Sequence, residues 1–320
     1  MMQRREILLT AGSLALGTSA WAQGAPIPST IKYVVPFPPG GLTDVMARIA
    51  ANRLADALKV TVVVENKAGA SAQIGAEQVA KGSSDGSQIL AITLAHAANV
   101  TLFPQARYDL LKDLTPVALL AGSPMLIVVP ANSPIKDFAG LVEASKARML
   151  NVGSSGNGTP PHLTMALFNE LNKTEMAHVP YRGGAPSMTD LIGGQLDVIF
   201  SNFPESVAHV KGGKLRALAF CSATRNPQMP NVPTTAEVGM PGLLVENWTA
   251  AMVQARTPAG VVDRYSRELI KVMFTDEVEE RAQTLGFRPN PQGVDQFGAF
   301  LRAEVARWSR IIKTAKITVT

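Results

Sequence analysis

VVPFPPGGLTDVMAR, residues 34–48, is a strand-like apolar run that breaks at Pro-Pro-Gly-Gly and resumes at helical spacing. A strand that enters a helix through such a loop is half of a βαβ unit. The loop has no lysine, cysteine or histidine, so it cannot act as a P-loop, ligate a metal or attack a substrate. It does have glycines, which let a ligand approach the backbone closely, and amides at a helix start, which attract anions.

The same design recurs along the chain. Apolar runs bounded by turn residues occur at 31–35, 61–65, 88–92, 125–129, 150–154, 196–200 and 215–220. Helical stripes lie between and after them: Val45, Met46, Ile49, Ala50, Leu54, Ala57 and Leu58; His162, Leu163, Ala166, Leu167 and Leu171; and Phe297, Phe300, Leu301, Val305, Trp308 and Ile312. Strands alternating with helices predict an α/β fold with parallel sheets. Unusual loops follow several of the strands: PFPPGGLTD (36–44), ENKAGASAQIG (65–75), VGSSGNGTPPH (152–162), YRGGAPS (181–187) and SNFPES (201–206). Thr43 or a glycine is expected to cap the first helix and Thr159 a later one, while Pro160, Pro186 and Pro204 are expected to start theirs. In open α/β sheets ligands collect at such strand ends. Each favourable dipole contact is worth roughly 0.3–1 kcal/mol, so converging helix starts can hold a carboxylate.

The opening MMQRREILLTAGSLALGTSAWAQ has a positive start, a short apolar segment and Ala20-Trp21-Ala22. That pattern predicts a cleaved secretory signal over residues 1–22, by the general or the twin-arginine route, with Gln23 as the mature N-terminus. The expected location is the periplasm, the expected state a monomer. With 320 residues, 46% hydrophobic and 17% charged, the chain has the composition and length for two globular domains. The net charge of +5 falls to +4 without the leader, and no basic cluster interleaved with aromatics suggests nucleic acid. Cys221 is the one cysteine, which excludes an internal disulfide, and its strand-like setting predicts a buried, inert thiol.

Signals for catalysis are weak. No G-x-x-x-x-G-K-[ST] and no G-x-G-x-x-G in strand-to-helix context occurs, and the histidines at 96, 162, 178 and 209 lack metal spacing, so neither metal nor cofactor is expected. His162 near Ser154 and Ser155 offers a serine–histidine pair, but without a nucleophile elbow or a third group.

PFPPGGLTDVMAR, VENKAGASAQIGAEQVAKGSSDG, GNGTPPHL, HVPYRGGAPSMTDLIGGQLDVIF and NVPTTAEVGMPG, in this order, resemble the Bug (TctC-like) receptors, the extracytoplasmic solute-binding proteins of tripartite tricarboxylate transporters. The resemblance spans essentially the whole mature chain. It implies two α/β lobes joined by crossing strands, enclosing a small carboxylated ligand that is delivered to integral-membrane subunits. The ligand types it implies are amino acids, dicarboxylates, tricarboxylates and aromatic carboxylates. It also implies that the first loop (Phe37, Pro39, Gly40, Gly41, Asp44) and the 153–159 loop (Ser154, Ser155, Gly158, Thr159, followed by His162) grip one carboxylate through backbone amides and water. Ala70 and Ser71, Thr93 and His96, Tyr181, Arg182 and Gly183, and Asn202 are implied to shape the rest. Ser84-Asp85-Gly86-Ser87, Ala72 and Ala166 depart from the pattern, and Ala72 bears on ligand identity.

Two residues carry alternatives. Asp44 either supports the helix start and pairs with Arg48 four residues on, or binds a ligand ammonium; the ready partner favours the first. Arg182 is a solvated loop residue or a clamp for a second carboxylate. On function, capture for a transporter competes with an orphan sensor that presents its liganded form to a signalling protein, and with a periplasmic serine hydrolase. Gly122-Ser123-Pro124 and Pro241-Gly242 suggest chain crossings, with one lobe of residues 23–124 plus 246–320 and a second of 125–245.

Overall fold

The computed structural model describes residues 26–319; the expected leader and cleavage site lie outside them. Strands β1 (Thr30–Val35), β2 (Thr61–Asn66) and β3 (Gln88–Thr93) are parallel, in the order β2-β1-β3. Helix α1 (Leu42–Leu58) links the first two; a single 3₁₀ turn (Ala70–Ala72) and α2 (Gln73–Ala80) lead to the third, and α3 (Leu94–Leu102) follows it. The chain then enters a 17-residue strand, β4 (Leu114–Pro130). Beyond it come α4 (Phe138–Ala147), β5 (Asn151–Ser154), α5 (Pro160–Asn172), β6 (Ala177–Pro180), α6 (Gly184–Ile192), β7 (Val198–Asn202), α7 (Phe203–Lys211) and β8 (Leu215–Phe220). Strand β5 lies parallel between β6 and β7. Strand β9 (Glu246–Gln254) returns antiparallel between β3 and β4, before α8 (Ala259–Met273), α9 (Asp276–Thr284), β10 (Arg288–Gln292) and α10 (Val294–Thr314).

The ladders run continuously through β4, but this strand changes partners along its length. Residues 114–124 pair with β9, and part of that stretch with β10. From Met125 onward the partners are β7 and β8. The sheet therefore curls into two parts that share one long strand. Burial on both faces explains the unbroken MLIVV run, because helices cover each side. Alternation governs β1: Ile31, Tyr33 and Val35 pack toward α1 and α8, while Val34 packs toward α2, α3 and α10. A third cluster joins Leu126 and Val128 to Met188, Leu191, Phe203 and Val207 on α6 and α7.

The predicted stripes need small corrections. Ala57 and Leu171 face solvent, and Ala47 and Ala51 complete the buried face of α1. Gly41 caps α1, and Thr43 lies within its first turn. Helix α6 starts at Gly184, two residues before Pro186, and α7 at Phe203, one before Pro204. Strands β6, β9 and β10 escaped the sequence reading; β10, Arg-Pro-Asn-Pro-Gln, carries two prolines and sits at the sheet edge, where missing donors are tolerated. Cys221 is 1% exposed, and burial pushes its thiol pKa up, which makes it inert. No helix among the described residues is long and apolar enough to cross a membrane.

Candidate ligand-binding site

Five helices begin at one cavity. It holds about 160 Å³ and lies where the strand ends of the two parts of the sheet face each other. The cap residues of α1, α3, α5, α6 and α7, namely Gly41, Thr93, Thr159, Gly183 and Asn202, all line it. Four of these caps make no side-chain bond to their helices, so their first turns rely on other partners for their amides. Phe37, Pro39, Ser155 and Arg182 complete the predicted residues found there. An outer cavity shares Phe37, Ser155, Thr159, Arg182 and Gly183 and adds Ala70, Ser71 and Tyr181. Ala70, Ser71 and Ala72 hold left-handed backbone, with φ of 45°, 54° and 74°, an unusual run that presents the turn toward the opening.

Several predicted residues lie behind this wall. Gly40 has φ +84° and open space around it, and its amide donates to Asp44 Oδ2 at 2.9 Å. Asp44 also accepts from Arg48 Nε and Nη2, each at 3.0 Å, and from Asn66 Nδ2 at 2.9 Å. Burial acts to raise its pKa, but these bonds and the Arg48 charge outweigh it and the net shift is downward. With four donors on its carboxyl, Asp44 braces the loop, and it lines neither cavity.

His96 is fully buried; its Nδ1 accepts the Thr93 amide at 3.1 Å and closes a capping box on α3. Burial pushes its pKa down to about 4; it lines neither cavity but backs two residues that line the inner one, Thr93 and, through an edge contact with ring centroids 6.1 Å apart, Phe37. His162 Nδ1 accepts the Gly158 amide at 3.1 Å and stacks on His178 at 4.0 Å. The expected serine–histidine proximity is re-partnered: Ser154 Oγ lies 2.6 Å from His178 Nε2, not beside His162. Burial, and then the charge of its neighbour, lowers His162 to about 3; burial lowers His178 to about 4. Ser154, Gly158 and His162 line neither cavity.

Two residues missed in the sequence reading form the floor. Glu205, in the first turn of α7, sits deep in the protein with part of its surface open to the cavity. A Cβ added at Gly184 would overlap its carboxyl, and one at Gly41 would stand 3.7 Å from Oε1. Burial pushes its pKa up, against hydrogen bonds from Asn202 and the Leu42 amide. Asn247, on β9, donates to Asn202 Oδ1 at 2.8 Å. In the sequence Glu205 reads as a dipole complement to α7, so the signal for a pocket acid was present but not distinctive.

The comparisons agree with this architecture. Residues 46–317 match the family described as "Tripartite tricarboxylate transporter family receptor" (TctC). Protein BugT of Bordetella pertussis is 33% identical over 287 residues, covering 88% of each chain. The solved structure of Rhodopseudomonas palustris Rpa4515 with adipate superposes with a TM-score of 0.87 at 32% identity, covering 91% of this chain and 98% of the other. That of MatC from the same organism with bound malate gives 0.82 at 30%, covering 88% and 98%. The chain therefore belongs to the tripartite tricarboxylate transporter family receptors, the Bug or TctC-like solute-binding proteins.

Proposed function

We propose that this receptor captures a small carboxylate in the periplasm and delivers it to the integral-membrane subunits of a tripartite tricarboxylate-type transporter. The observation that carries the reading is the convergence of five helix starts on one cavity. Helix starts offer amides and a positive dipole end to an anion, and the hydroxyls of Thr93 and Ser155 add donors. Adipate in Rpa4515 and malate in MatC are ligands of this chemistry. In this reading the lobes are residues 23–124 plus 246–320 and 125–245, supported by the change of ladder partners between Pro124↔Glu246 and Met125↔Asn202. Contacts across the opening, such as Pro38 beside Gly183, are those a closing cleft would make. Binding rather than catalysis is the proposed role, because Ser154 and His178 are paired outside the cavity and, among the described residues, no carboxylate orients the imidazole.

A thermal-shift screen of small carboxylates tests the proposal. At a hundredfold excess over Kd the true ligand should add about 2.7 kcal/mol of stability, while its amide or ester should add none. Equal stabilisation by the neutral analogues would overturn anion recognition. Delivery is tested separately, by loss of uptake of that ligand when the membrane subunits are deleted.

A further inference from the structure

The floor of the cavity holds an acid, Glu205, which repels a simple anion when it is ionised. Glu205 points its carboxyl between the starts of α1 and α6, beside Gly41 and Gly184, where the Leu42 amide favours its ionised form. The anchor that a ligand carboxylate would seek at the start of α1 is thus partly filled by the protein's own. Among the described residues, no lysine, arginine or histidine forms an ion pair with it. Among the described residues the one cation lining the cavity is Arg182, an exposed residue shared with the outer cavity, whereas Glu205 lines the inner one alone.

A second observation points the same way. The Asn247 amide donates to Asn202 Oδ1, which turns the Asn202 NH₂ toward Glu205. This relay leaves Asn247 Oδ1 buried with no partner, in a residue only 3% exposed. A buried acceptor without a donor and a half-buried carboxylate without a cation are each costly, and both residues line the cavity. A ligand amine would answer both, while its carboxylate reaches the hydroxyls and Arg182 toward the rim.

We propose that Glu205 sets the specificity of this receptor by binding a protonated amine of the ligand, so that its substrates are small amino-carboxylates rather than plain dicarboxylates. The inference rests on the carboxylate-receptor reading above and narrows it.

Titration calorimetry with pairs that differ only by the amine, L-glutamate against glutarate and L-aspartate against succinate, tests it on the mature protein. At least one amino member should bind ten times more tightly than its partner. Glu205→Gln should weaken that amino member at least tenfold and leave the diacid unchanged or tighter. Gly184→Ala, whose methyl overlaps the Glu205 carboxyl, should shift preference in the same direction and guards against misfolding of the first variant. Diacids that bind as well as or better than their amino partners would overturn the inference while leaving the receptor reading intact. So would a wild-type preference for the amino member that persists in Glu205→Gln. No binding by any of the four, together with no hit in the carboxylate screen, would overturn both.

Discussion

Glycine 41 and arginine 182 separate two ways of holding an anion. Gly41 has φ −79° and ψ 172°, a conformation open to any residue, whereas Gly40, at φ +84°, is the loop residue whose backbone favours glycine. What Gly41 contributes is space: a valine there would push its methyls toward Glu205 and the ligand. Gly41→Val is expected to weaken binding at least tenfold, about 1.4 kcal/mol. Arg182 is exposed, and a solvent-screened pair is worth about 0.2–1 kcal/mol, so Arg182→Ala should cost less. Calorimetry on both variants decides between them; abolition by Arg182→Ala with Gly41→Val intact would make the arginine the anchor. Asp44 was legible at this scale because an i,i+4 arginine is a local feature. Glu205 was not, since nothing local to Ser-Asn-Phe-Pro-Glu-Ser reveals that α1 and α6 close over it.

At the scale of elements, caps differ in what they serve. Thr93 accepts the Ala95 amide at 3.2 Å, its own amide is held by His96, and the residue lines the cavity. Asp137 caps α4 by accepting the Gly140 amide at 2.8 Å, and it lines neither cavity. Either cap replaced by alanine should cost about 1 kcal/mol of stability. Thr93→Ala should also weaken ligand binding, whereas Asp137→Ala should leave affinity unchanged. Urea unfolding paired with calorimetry checks this, and equal affinities in both variants would remove Thr93 from the site. The major helices were readable from their periodicity; β9 was not, because Asn-Trp-Thr-Ala-Ala-Met has no alternation when both faces are buried.

Over the whole molecule, three histidines held neutral couple stability to pH. His96 and His178 are pushed down to about 4 and His162 to about 3, against an ordinary value near 6.5. Between these limits the unfolded chain binds protons that the folded chain refuses. Their contribution is therefore complete above about pH 6.5 and is lost as the pH falls toward the folded values. His96 alone should lower stability by about 1.4 kcal/mol per pH unit between pH 6 and 5. Urea midpoints measured from pH 7.5 to 5 should fall steadily, with a shallower slope in His96→Gln; a flat profile would contradict the burial argument.

Strand and helix alternation, the loops at the strand ends and the family itself followed from the sequence, because apolar period and turn chemistry are carried by neighbouring residues. Which loops meet did not follow. The cavity unites residues from Phe37 to Asn247 only because β4 is long enough to serve both parts of the sheet, and β9 returns beside it. Charge balance at the floor was likewise a tertiary outcome. Glu205 gains its meaning from Gly184 having no side chain and from the Asn247–Asn202 relay, contacts between residues 21 and 45 positions apart that no local pattern encodes.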